Sequence, residues 1–194
     1  TRDRRSPPGH RRRRPALAPL VALASCAPLA VVGIGIIVTD EFKDSPLTAD
    51  VQVRNRGTVA GSLAHADAAA EMPAVLLGCD GYVEVIGPNG KRSITADEFF
   101  RFHLTTALAH DEIVTAACFP VLQPGQGWAF GEIARRRGDY AIAGVCVLLD
   151  VDGSGLCTNA KLSACGIGSR PFRLRAAEQI LIGSRLGENA CKAA

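Results

Sequence analysis

Between Arg54 and Leu77 the chain reads RNRGTVAGSLAHADAAAEMPAVLL, and here its residue types and spacing are best suited to chemistry. Gly57, Ala60, Gly61 and Ser62 are small, so a ligand can approach the backbone and accept hydrogen bonds from consecutive N–H groups. A phosphate suits such a nest, and Thr58 and Ser62 add hydroxyl donors around Val59. Glu71 supplies a carboxylate placed to accept hydrogen bonds from ribose or ribityl hydroxyls. A tight turn before a helix would use the same small residues, and a lone glycine-bearing loop does not separate the two readings.

Other chemistries fit less well. Asp150 to Gly155 imitates the start of a calcium loop, but Lys161 stands at the twelfth position, where a bidentate Glu is needed, so the segment reads as a hairpin turn. Ser62, His65 and Asp67 are hydrolase residue types without a G-x-S-x-G elbow. His65, His103 and His110 lack zinc-ligand spacing and read as loop or surface residues. The seven cysteines, Cys26, Cys79, Cys118, Cys146, Cys157, Cys165 and Cys191, include no C-x-x-C pair. Several lie in apolar runs, where a thiol serves as a small buried hydrophobe, which favours a reducing compartment such as the cytoplasm. No residue is assigned a catalytic role, and no metal is expected.

The formal charge of +3 conceals an asymmetry, because Arg2, Arg4, Arg5 and Arg11 to Arg14 crowd the first segment. No basic stripe with interleaved aromatics follows, which argues against nucleic acid as a partner. Residues 1–50 are unassigned. Ala16 to Val38 carries no charged side chain and follows basic residues, as a signal or membrane anchor would, but Pro19, Pro28, Gly33 and Gly35 interrupt it. A buried segment, and sequence not native to the gene, remain open beside the anchor, with a membrane span disfavoured.

The elements that must position the candidate residues lie after Val51. The glycine-bearing loop leads to a helix beginning near Ala70, since Pro73 is tolerated only in a first turn, with Leu76 and Leu77 on its buried side. Tyr82 to Ile86 and Lys91 to Ile94 form a hairpin around Gly87-Pro88-Asn89-Gly90. Thr95 and Glu98 suit a capping box for a short helix anchored by Phe99, Phe100 and Phe102. Glu112 to Phe119 reads as another strand, and Pro120 to Gly127 as a domain boundary. Trp128 to Ile133, Ala141 to Leu149 and Leu156 to Ala164 form a meander. Arg175 to Ile182 then reads as a helix with Ala176, Ala177, Ile180 and Leu181 on its apolar face and Gly183 as its stop.

Two ordered stretches carry a family resemblance. Arg54, Asn55, Gly57, Thr58, Val59, Gly61 and Ser62, continued by SLAHAD, resemble the loop R-N-x-G-T-I/V-G-G-S/N of the FAD-binding medium subunit of molybdenum hydroxylases, the carbon monoxide dehydrogenase and xanthine dehydrogenase type. AFGEIARRRGDYAIAGV, Ala129 to Val145, is similar to the strand-loop-strand F-x-E-x-A-x-R-x-G-D-Y-A that opens the family's C-terminal domain. The resemblance implies an α+β fold: an FAD-binding subdomain over 51–122, the second half of a PCMH-type domain with a mainly antiparallel sheet plus helices, and over 126–194 a three-stranded antiparallel sheet with a C-terminal helix. It also implies that Thr58, Val59, Ala60, Gly61 and Ser62 contact the FAD diphosphate and its neighbouring atoms, that Glu71 contacts the sugar-like portion, and that Tyr140 lies near the isoalloxazine ring.

The implied function is an electron-transfer subunit of an oxidoreductase, its FAD passing electrons from the clusters of a [2Fe-2S] small subunit that serves a molybdopterin-containing large subunit. Ala60 stands where the family pattern has a second glycine, and its methyl would hinder close approach or a positive φ. The family's other FAD loop, A-G-G-T-D/N-L, has no counterpart in this sequence, and the resemblance therefore reads as truncated at both ends. The alternative is a non-catalytic remnant or interaction fragment that has lost that loop.

Overall fold

The computed structural model describes residues 29–33, 57–123, 125–136 and 139–194. The readings of residues 1–28 and of Arg54, Asn55, Arg137 and Gly138 lie outside the described residues. The described chain is α+β, with two four-stranded antiparallel sheets and short helices between and beside them.

The first sheet grows from the hairpin. Strand β1 (Leu29–Gly33) precedes helices α1 (Val59–His65) and α2 (Glu71–Gly78), after which β2 (Tyr82–Gly87) and β3 (Gly90–Thr95) pair with Gly87 opposite Gly90 across Pro88 and Asn89. Gly90 has a φ of +101°, a backbone conformation that a side chain would strain. Helix α3 (Ala96–Phe99), the small ribbon β4 (Phe100–Phe102) and β5 (Thr105–Thr106), and strand β6 (Ile113–Pro120) follow. The finished order is β1-β6-β2-β3. Its core is built from Leu63, Leu76, Leu77, Val83, Val85 and Phe99.

The second sheet is the expected meander with one added edge. Strands β7 (Gly127–Ala134), β8 (Ala141–Val151) and β9 (Cys157–Cys165) are followed by the two-residue β10 (Phe172–Arg173), giving the order β10-β9-β8-β7. Two residues between Pro171 and Leu174 are too few to show a period, so the sequence pattern shows three strands where the sheet has four. Helices α4 (Arg175–Leu181) and α5 (Glu188–Ala193) follow, with Ala177 and Leu181 packed on Cys157, Ala160 and Leu162. Gly183, at φ +81°, ends α4 as the sequence suggests.

Helix α2 joins the two layers. Every residue from Pro73 to Gly78 is buried. Leu76 and Leu77 enter the first core, while Ala74 packs with Phe130 and Cys165, and Val75 with Cys146 and Leu148 of the second sheet. The helix thus has two apolar faces rather than one, as a segment apolar all round must. The Ser163 hydroxyl, fully buried on β9, donates 2.6 Å to the carbonyl of Ala74 and pins the helix to the sheet.

Three local expectations are corrected. The Thr95 hydroxyl donates to Glu98 Oε2 at 3.0 Å and caps no backbone N–H. Phe99 and Phe100 are buried in an edge-to-face pair 5.1 Å apart, but Phe102 is 59% exposed because a bulge in the β4–β5 ribbon breaks the alternation between Phe100 and Phe102. Helix α4 turns Leu174, Ala177, Glu178 and Leu181 toward the sheet and leaves Ala176 and Ile180 exposed. That rotation lets the Glu178 carboxylate accept from Leu162 N–H at 2.8 Å and from Arg173 Nε at 2.6 Å.

Candidate functional site

The segment read as an open loop is the start of α1. Thr58 is its N-cap in extended backbone, and its hydroxyl accepts from Gly61 N–H at 2.9 Å, while its carbonyl accepts from Ser62 N–H at 3.0 Å. The amides of Gly61 and Ser62 are therefore turned inward along the helix. Those of Val59 and Ala60 belong to the first turn, where a helix offers no partner of its own. Gly61 must be small for a specific reason: a Cβ there would lie 2.8 Å from the Thr58 hydroxyl oxygen.

Ala60 proves compatible with this geometry. Its backbone is helical, without a positive φ, and its methyl is buried beside Leu63 and Ala66 in the first core. The expected penalty for replacing glycine does not arise, because the side chain points away from the opening of the helix and into packed apolar surface.

The turn between α1 and α2 is fixed by hydrogen bonds from three directions. Ala66 ends α1 in the left-handed region, at φ 53°, and Asp67 Oδ1 accepts from Ala69 N–H at 2.9 Å. Ala68 donates to His103 Nδ1 at 3.4 Å, and its carbonyl accepts from Gly166 N–H of the second layer at 2.8 Å. Glu71 then opens α2. Burial raises its carboxyl pKa above the ordinary value, its own backbone N–H partly offsets this, and the charges of Glu132 and Asp67 raise it further.

Glu132 was not singled out from sequence. It lies on β7, where Trp128, Phe130, Glu132 and Ala134 share the half-buried face and Phe130 packs on Ala74 of α2. Its Oε2 is sealed from solvent and is the one buried side-chain oxygen or nitrogen without a hydrogen-bond partner among the described residues. Burial pushes its pKa up as well. The sequence signal was an acidic residue on the inward parity of an otherwise apolar strand.

Tyr140 precedes β8 and is 71% exposed. Helix α1 packs on β6, α2, β1 and β5, whereas β8, which follows Tyr140, packs on β7, β9 and α2, so α2 is the neighbour that the two elements share. The structure brings Glu71 and Glu132 together; neither Tyr140 nor the Thr58–Ser62 turn makes a side-chain hydrogen bond to them among the described residues.

The thiols offer no reactive group here. Cys118, Cys146, Cys157 and Cys165 are buried and free, and burial pushes Cys146 up to about 12 and Cys79 and Cys165 up to about 11. Asp152 organises the β8–β9 turn, its Oδ1 accepting from Ser154 N–H, the Ser154 hydroxyl and Leu156 N–H. Among the described residues no group of three acidic, His or Cys side chains could hold a metal, and no helix is long and apolar enough to cross a membrane.

Comparison with known proteins gives consistent matches. Residues 16–122 match the family described as FAD binding domain in molybdopterin dehydrogenase, and residues 128–194 match the CO dehydrogenase flavoprotein C-terminal domain. The chain is 43% identical to the 6-hydroxypseudooxynicotine dehydrogenase complex subunit alpha of Paenarthrobacter nicotinovorans over 143 residues, 74% of this chain and 48% of that protein. Among solved structures it resembles carbon monoxide dehydrogenase from Hydrogenophaga pseudoflava, with a TM-score of 0.79, 28% identity and coverage of 88% of this chain and 63% of that one. Quinoline 2-oxidoreductase from Pseudomonas putida 86 gives a TM-score of 0.76 at 32% identity, covering 86% and 62%. The chain spans about half the length of the curated relatives it matches.

Proposed function

This chain belongs to the family of FAD-binding medium subunits of molybdenum hydroxylases, and on that premise we propose that it binds FAD and carries electrons within an oxidoreductase complex. The observation that carries the reading is the coincidence of the family match with a pair of half-buried acidic side chains, Glu71 and Glu132, the second holding an unsatisfied oxygen. Carboxyls of that kind suit a ligand rich in hydroxyl donors, as the ribityl chain and ribose of FAD are. In this proposal the first turn of α1 meets the diphosphate, with Val59 and Ala60 offering N–H groups and Thr58 and Ser62 hydroxyls, while Gly61 keeps the turn compact. Glu71 holds the sugar-like portion, and Tyr140 lies near the ring system.

FAD itself supplies the redox chemistry, and this chain's residues bind and orient it. Electrons would come from a [2Fe-2S] small subunit serving a molybdopterin-containing large subunit, in keeping with the dehydrogenase complexes to which the relatives belong. The cytoplasm is the proposed location, consistent with free, buried cysteines.

The test is a titration of the full chain with FAD, followed by flavin fluorescence. Saturable binding is expected. Glu71→Gln should weaken binding about tenfold by removing a charged acceptor. A chain that takes up no FAD at any concentration would leave the remnant reading in its place.

A further inference from the structure

A carboxyl oxygen sealed from water and left without a donor is costly, because it loses its hydration and gains nothing in exchange. Glu132 Oε2 is in that position. The fold makes room for it: Glu132 faces Gly144 on β8, and a Cβ at Gly144 would lie 2.7 Å from Cys165 Sγ, 3.3 Å from the Phe130 ring and 3.6 Å from Glu132 Cβ. Glycine at position 144 thus keeps open the space that the Glu132 side chain shares with Phe130 and Cys165. Near it stand Glu71 from α2, which also feels the charge of Asp67 in the turn before it, and the Cys165 thiol of β9, which stays neutral. No cation is paired with Glu132 among the described residues. An acidic side chain held toward another acidic side chain, with no cation between them, is a poor device for stability.

We propose that Glu132 is a further cofactor-contacting residue: its carboxylate turns out of its sealed position beside Glu71 when FAD binds, and the oxygen left unsatisfied in the FAD-free chain accepts a hydrogen bond from a hydroxyl of the cofactor's sugar-like chain. The assignment rests on the reading that this chain binds FAD, and it adds a residue from β7 to a site otherwise built from α1, α2 and Tyr140 before β8. It accounts for the orphaned oxygen, for its placement on the one β7 face that meets α2, and for the glycine opposite. The two layers would then close on the cofactor from both sides.

The experiment compares the full wild-type chain with Glu132→Gln and Glu132→Leu, measuring FAD affinity by fluorescence titration and the melting midpoint of the FAD-free protein. Removing a desolvated, unpartnered oxygen should leave the FAD-free midpoint unchanged or higher. Affinity should fall about tenfold in Glu132→Leu and by a smaller factor in Glu132→Gln, whose amide oxygen still accepts but carries no charge. Unchanged affinity in both variants overturns the proposal. So does a fall in affinity matched by a fall in the FAD-free midpoint, which would assign Glu132 to the fold. A wild-type chain that binds no FAD sinks the proposed function itself, and that result appears before either variant is made.

Discussion

Thr58 and Gly61 form one capping unit, and the pair shows how a glycine can be required without any unusual φ. The Thr58 hydroxyl accepts from Gly61 N–H, and a methyl at position 61 would sit 2.8 Å from that oxygen. Thr58→Ala should cost about 1 kcal/mol, as N-cap deletions do. Gly61→Ala should cost a similar amount by displacing the hydroxyl, and the double variant should cost little more than either alone, because both remove the same bond. Urea midpoints of the three variants check this. Ala60 teaches the reverse lesson. Restoring the family's glycine there should destabilise by about 1 kcal/mol, since helix propensity and buried methyl surface are both lost; an unchanged midpoint would show that the methyl does not pack. At Glu112, Arg92 donates to both carboxylate oxygens at 2.6 and 2.7 Å and Ala109 N–H adds a third bond, which holds its pKa down to about 2. A depressed carboxyl contributes stability that is present above its ordinary 4.5 and is lost as pH falls through 2. The stability difference between wild type and Arg92→Gln should therefore shrink from pH 5 toward pH 2 in urea titrations at each pH. Glu71 and Glu132, with raised values, act oppositely: their contribution is present below 4.5 and fades as pH rises through the folded value.

At the scale of elements, the sequence made visible what repeats and hid what depends on partners. The hairpin at Gly87 to Gly90, the β7–β8–β9 meander and the first-turn proline of α2 follow from period-two alternation, turn residues and the missing N–H of Pro73, and each is where that logic puts it. The rotation of α4 was not legible. Apolar spacing alone allows Ala176 and Ile180 to face inward, but a charged residue decides the matter. Glu178 turns in because Leu162 N–H and Arg173 need its carboxylate, and Arg173 in turn donates to Asp80 at the end of α2. The site divided in the same way. The small-residue run and Glu71 stood out by type, whereas Glu132 became a candidate only when β7 was seen packed on α2. Arg173 and Glu178 are both nearly buried, with side chains 8% and 9% exposed, whereas Asp80 is 51% exposed. Glu178→Ala leaves the Leu162 N–H without an acceptor and Arg173 with Asp80 alone, and should cost about 2–3 kcal/mol, while Asp80→Ala, at the exposed end of the same chain of bonds, should cost about 1 kcal/mol or less. Equal losses in chemical denaturation would contradict that division.

For the molecule as a whole, the question is whether its two sheets behave as one body. Helix α2 joins them, since its opposite faces belong to different cores and the Ser163 hydroxyl fixes it to the second. Its last residue, Gly78, marks the closest approach: a Cβ there would lie 2.6 Å from Ser163 Oγ and 3.2 Å from Cys146 Sγ. Ser163 cannot simply rotate aside, because its hydroxyl is committed to Ala74 and the residue is fully buried. Helix and sheet must therefore separate to admit a larger side chain. The wild-type chain should unfold in a single transition, with tryptophan fluorescence from Trp128 in the second sheet and far-ultraviolet dichroism from the whole chain tracing the same curve. Gly78→Val should cost about 1–3 kcal/mol by overpacking, and it should also split those curves, because it wedges the layers apart without touching the interior of either sheet. FAD affinity should fall alongside, since Glu71 and Glu132 come from opposite sides of the same seam. A Gly78→Val protein that is merely less stable, with coincident curves and unaltered FAD binding, would mean that the layers are joined elsewhere and that the cofactor site does not depend on their contact.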